Sequence, residues 1–142
     1  MHKMEKTKFD FWKDHSHQFL EMALGHEKNE RLEKADGYGK RTGVCGDSIE
    51  IYLSVEGDRI ESVSYYTDGC LHTNACANTI ARMAENITIK QAWGISPEAV
   101  ADYLKTLPAA EFHCAEMAAG ALQRALVNLG EMRRNSWKKL YR

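Results

Sequence analysis

The stretch "SIEIYLSVEGDRIESVSYYTDGC", residues 48–70, decides the fold. Ile49, Ile51, Leu53 and Val55 alternate with Ser48, Glu50, Tyr52, Ser54 and Glu56, a period of two that buries one face of a strand. Glu56-Gly57-Asp58-Arg59 is turn chemistry, and Ile60 to Thr67 is rich in β-branched and aromatic residues, so the strand folds back as a hairpin. After Asp68-Gly69 the pattern becomes helical and stays so.

Outward from the hairpin, residues 70–85 carry small residues with Cys76, Ile80 and Met83 at helical spacing. Thr88 with Gln91 forms a capping-box pattern, and Ser96-Pro97-Glu98 combines an N-cap, a proline at the first helical position and an early acid. Met117, Ala118, Ala121, Leu122, Ala125, Leu126 and Leu129 make a continuous apolar stripe starting just after Cys114. Towards the N-terminus, Phe9, Trp12, Phe19, Leu20 and Leu24 predict a helix over 8–24 that stops at Gly25. The charged, glycine-ending segment from His26 to Arg41 reads as an exposed, mobile connection. Strands followed by helices predict an α+β fold. Helices would pack on one face of a small antiparallel sheet of about three strands, with a long C-terminal helix.

The chain has 142 residues, 44% of them hydrophobic, which suits one domain over 1–142. Lys and Arg number 19 against 20 Asp and Glu, so no general field draws the protein to nucleic acid or an anionic membrane. The first twenty residues lack an apolar signal region, and no stretch approaches the roughly 18 apolar residues of a spanning helix. A cytoplasmic protein is expected. In a reducing compartment four cysteines are ligands, nucleophiles or buried small residues before they are disulfides.

Three of the four fall at element boundaries: Cys45 before the first strand, Cys70 between strand and helix, and Cys114 at the start of the last helix. Gly43, Gly46 and Gly69 flank them, and Asp47 and His113 lie one or two residues away. A thiol at a helix start is favoured as thiolate. A [2Fe-2S] unit needs about four protein ligands. Cys45, Cys70 and Cys114 supply three, and Asp47 or His113 would be the fourth, more exchangeable one. Zinc would accept the same donors, in purified protein above all, so spacing alone does not name the metal.

Cys45-Gly46-Asp47, Asp68-Gly69-Cys70 and Phe112-His113-Cys114, in that order, resemble the IscU and NifU N-terminal family of iron–sulfur cluster assembly scaffolds. The resemblance spans a core of about 40–130, leaving 1–39 as N-terminal helix and connection and 131–142 as a basic tail. It implies a carrier, not an enzyme, that takes sulfur from a cysteine desulfurase, builds a labile [2Fe-2S] cluster and passes it to recipient apoproteins. Cys45, Cys70 and Cys114 would be thiolate ligands, Asp47 the aspartate that keeps the cluster transferable, His113 the histidine beside the last cysteine, and Cys114 the persulfide acceptor. An alternative is a zinc-bound persulfide acceptor, a sulfurtransferase-like partner of a desulfurase.

The sequence departs from the family pattern in places. Leu107-Pro108-Ala109-Ala110-Glu111 carries a carboxylate where the family has a lysine, which counts against hand-off by its dedicated chaperones. The N-terminal segment lacks the family's usual docking pattern for the desulfurase. His72 and Cys76 stand where small residues and serines are usual, and at i and i+4 they could form an accessory metal pair, with packing the favoured reading for Cys76. His15 and His17 read as a solvated helix face without a role, and Trp93 and Trp137 as packing or interface residues. A Cys-His hydrolase using Cys114 is set aside because adjacent helical residues diverge by about 100 degrees. A homodimer sharing one cluster stays open.

Overall fold

The computed structural model describes residues 15–44 and 46–140, the last five by backbone alone. Helix α1 (His17–Leu24) precedes three strands, β1 (Gly37–Thr42), β2 (Ser48–Glu56) and β3 (Arg59–Tyr66). Four helices follow: α2 (Leu71–Ala84), α3 (Ile89–Ala92), α4 (Pro97–Leu104) and, after a 3₁₀ turn at Ala109–Glu111, the long α5 (Phe112–Leu140). The sheet is antiparallel in the order β1-β2-β3, with Gly39 opposite Ile51 and Leu53 opposite Val63. This is the expected α+β architecture.

Ile49, Ile51 and Leu53 are fully buried against the stripe of α5, in which Ala118, Ala121, Leu122, Ala125, Leu126 and Leu129 all leave solvent. Small residues on that stripe let the helix lie close, and β1 takes the closest approach. A Cβ at Gly39 would come within 3.0 Å of backbone atoms of Ala121, Arg124 and Ala125. Only glycine fits. The segment read as a mobile connection therefore contains an edge strand, and the glycines that disguised it are what seat it on α5. The rest of that segment is also tied down. Lys28 pairs with Glu85, Glu30 N donates to Tyr65 O at 2.7 Å, and Asn29 exchanges hydrogen bonds with the backbone of Thr67.

Further expectations change. Glu50 and Tyr52, placed on the exposed face of β2, are buried, because the middle strand is covered there too. The Tyr38 ring lies tilted against that of Tyr52 at 5.2 Å, Arg31 lies 3.3 Å from Glu50, and the Tyr52 hydroxyl donates to Glu50 at 2.5 Å. Helix α1 starts at His17 with Ser16 as N-cap, its hydroxyl accepting from Phe19 N, while residues 8–14 lie outside the described residues. His15 is not on a solvated face: it stacks on Phe19 at 4.1 Å and meets Thr106 at 3.4 Å, whereas His17 is exposed. The stretch expected as a basic tail continues α5 to Leu140.

Helix α1 is joined to α2 by polar side chains in the core. Asn74 Nδ2 donates to the carbonyls of Met22, Ala23 and Gly25, and Asn78 Nδ2 to that of Met22, satisfying acceptors that the end of α1 leaves open. The Tyr65 hydroxyl completes the set by donating to Asn74 Oδ1 at 2.8 Å. The capping box at Thr88 and Gln91 and the Ser96-Pro97 start of α4 form as the sequence predicts.

Candidate functional site

Three chain junctions meet at one edge of the sheet: the loop entering β2, the β3–α2 junction and the start of α5. Gly43 N donates to Asp47 O at 2.9 Å, closing the first as a tight loop. Cys45, within that loop, lies outside the described residues. Cys70 is the N-cap residue of α2, but its own side chain makes no capping bond. Asp47 does that from across the site, its Oδ2 accepting from Cys70 N at 3.2 Å and from the Thr73 hydroxyl at 2.9 Å. A carboxylate at a helix N-terminus is electrostatically favoured. The Thr73 hydroxyl and then the Cys70 N–H hold the Asp47 carboxyl below its ordinary value. Gly69 leaves room for it, since a Cβ there would sit 2.7 Å from Asp47 Oδ2.

Thr73 links the thiols. Fully buried, its hydroxyl lies 3.4 Å from Cys70 Sγ and 3.6 Å from Cys114 Sγ. Cys70 is exposed and Cys114 buried, so one thiol faces the mouth and the other the floor. His113 Nδ1 is 3.2 Å from the carbonyl of Ala110. A carbonyl only accepts, so that bond needs the Nδ1–H tautomer and leaves Nε2 with a free lone pair. Nε2 lies 3.7 Å from Cys114 Sγ, within reach of a hydrogen bond to sulfur although the two residues are neighbours on α5.

Asp47, Cys70, His113 and Cys114 thus share one constellation, a mixed set of thiol, carboxylate and imidazole donors suited to a borderline or soft metal. Cys76 does not join it. It is fully buried among the core residues of α2, and burial pushes its thiol well up. Its complete burial favours packing over an accessory pairing with His72. Two groups escaped the sequence reading. Thr73 carried no signal beyond lying three residues after Cys70. Glu111 is a carboxylate at an unusual position in the sequence, with nothing there to tie it to the site. Its Oε1 is 3.8 Å from Cys114 Sγ, 3.9 Å from His113 Nε2 and 4.0 Å from His72 Nδ1.

The NifU-like N terminal domain matches this chain over residues 25–135, which includes every element from β1 to α4 and most of α5. The chain belongs to that family. This NifU-like domain is 37% identical over 115 residues to the iron-sulfur cluster assembly scaffold protein IscU 1 of Archaeoglobus fulgidus, covering 78% of this chain and 75% of that protein. It is 34% identical over 87 residues to the nitrogen fixation protein NifU of Nostoc sp., covering 60% of this chain and 29% of the much longer relative. Its fold matches the crystal structure of an N-terminal NifU-like protein from Brucella abortus with a TM-score of 0.68 at 15% identity, over 82% of this chain and 94% of that one. The family match begins at residue 25, upstream of β1. Among the described residues, no helix is long and apolar enough to cross a membrane.

Proposed function

We propose that this NifU-like domain is an iron–sulfur cluster assembly scaffold, a carrier on which a labile [2Fe-2S] cluster is built and from which it is released to apoproteins. The observation that carries the reading is the meeting of Asp47, Cys70, His113 and Cys114 around Thr73, from three separate junctions of the chain. With Cys45 from the first loop, this set covers the roughly four places that two tetrahedral irons bridged by sulfide leave to protein. The cluster is cargo. A site that mixes thiolates with a carboxylate and an imidazole holds it less firmly than four cysteines would, which suits release. Zinc fits the same donors and competes for them in purified protein.

Sulfur arrives from a cysteine desulfurase. The Cys114 thiolate attacks the outer sulfur of the donor's persulfide, the new S–S bond forms on Cys114, and the donor's cysteine leaves as thiolate. Cys114 suits the role: His113 Nε2, 3.7 Å from its sulfur, is placed to take its proton. One domain carries these steps, with no turnover of a substrate of its own. Anaerobic reconstitution with iron and sulfide tests the assignment through its visible charge-transfer bands. Cys114→Ser should lose them and Cys76→Ala keep them; full bands in the Cys114 variant would sink the ligand assignment.

A further inference from the structure

His72 and Glu111 are surplus to the cluster. The five residues proposed to hold it already meet its ligand demand, yet these two reach the same site from α2 and from the 3₁₀ turn before α5. Cys70, His72 and Glu111 each offer a donor atom within 4.8 Å of the other two, and so do Glu111, His113 and Cys114. One carboxylate thus belongs to two triads.

We propose that Cys70, His72 and Glu111 form a landing site for a single divalent transition-metal ion, joined through Glu111 to the His113–Cys114 end of the cluster site. The proposal rests on the scaffold reading only for naming ferrous iron as the ion. Its geometry stands by itself. Tetrahedral bonds of about 2.0–2.3 Å set neighbouring donors roughly 3.3–3.8 Å apart, so the triad closes on an ion with side-chain movements of about 1 Å. Sulfur, nitrogen and oxygen together select a borderline ion such as ferrous iron, cobalt or zinc over magnesium or calcium, which want oxygen alone. With the thiol ionised and the imidazole neutral, the donors carry two negative charges and match a dication.

Position supports the role. Cys70 is exposed, and the side chains of His72 and Glu111 keep 27% and 31% of their accessibility, so a hydrated ion can reach all three. The His72 ring is braced by Phe19, 5.7 Å away between centroids. Glu111 Oε1 lies at nearly equal distance from His72 Nδ1, His113 Nε2 and Cys114 Sγ. An ion held by that oxygen can exchange His72 and Cys70 for His113 and Cys114 without returning to water.

Anaerobic cobalt titration tests this. In a Cys45→Ser/Cys114→Ser parent, Cys70 is the remaining thiol outside the core, and Asp47 is common to all the variants compared. The parent should bind one cobalt ion with a near-ultraviolet band of single-thiolate intensity. Adding Cys70→Ser should remove the band, and adding either His72→Ala or Glu111→Gln should weaken binding at least tenfold with the circular dichroism of the parent retained. Should the histidine variant fail to fold, the near-isosteric glutamine variant decides. A parent that binds no cobalt, or affinities within twofold in both variants, overturns the landing site. Cluster uptake by the wild-type chain is read separately. If it takes up none while the cobalt pattern holds, the scaffold reading falls and the metal site stands.

Discussion

Thr73 is the residue whose removal most directly probes how the site is held together. Its hydroxyl donates to Asp47 at 2.9 Å, and a hydrogen bond to a charged acceptor contributes about 1.5–3 kcal/mol. Asp47 is half-exposed, so water replaces part of the bond, leaving about 1–1.5 kcal/mol. Thr73 is also fully buried, and deleting its methyl group costs about 1 kcal/mol more. Thr73→Ser keeps the hydroxyl and should lower stability by about 1 kcal/mol, whereas Thr73→Ala should lower it by about 2–3 kcal/mol. At about 4 °C per kcal/mol, these correspond to Tm losses near 4 and 10 °C. Urea unfolding of the metal-free wild type, Thr73→Ala, Asp47→Ala and the double variant then isolates the pair, with an expected coupling of about 1 kcal/mol. If Asp47→Ala costs the same with and without Thr73, within about 0.3 kcal/mol, the carboxylate is not held through Thr73 and the bridging role is wrong.

Two further outcomes follow from the fold. Gly39→Ala should destabilise by about 3 kcal/mol, near the top of the usual overpacking range, because the added methyl meets helix backbone instead of movable side chains; a loss below about 0.5 kcal/mol in urea unfolding would mean that β1 does not seat on α5 as described. Burial pushes the Tyr65 phenol up to about 12 from its ordinary 10, so the unfolded chain releases this proton first. Its stability contribution is complete below about pH 10 and drains away as pH rises towards 12. Tyr65→Phe should start lower at neutral pH, having lost the bond to Asn74, and should fall less steeply than wild type over that alkaline window.

The hairpin and the helices could be read from the sequence because each buries a regular pattern against the core: Ile49, Ile51 and Leu53 at period two, and Met117 to Leu129 at helical period. β1 could not, since "GYGKRT" has the composition of a loop and its glycines make sense only beside the backbone of α5. Glu50 and Tyr52 were misplaced for a related reason, as local alternation does not reveal that a strand is central and covered on both faces. The thiols, Asp47 and His113 are legible as motifs, the first two thiols and Asp47 through their glycine neighbours as well. Thr73, Glu111 and the partnership of Glu111 with His72 were not, because they arise from the meeting of elements about forty residues apart in the chain.

For a carrier, release matters as much as assembly, and transfer measures it most directly. Wild-type and Asp47→Ala proteins would be reconstituted anaerobically with iron and sulfide and mixed with an apo-ferredoxin, while acceptor spectra and cluster half-life in air are followed side by side. The wild type should pass its cluster on. The variant, lacking the hard and exchangeable carboxylate oxygen, should hold its cluster longer and transfer it more slowly. A wild-type cluster that never reaches the acceptor, or a shorter half-life in the variant, would contradict the account.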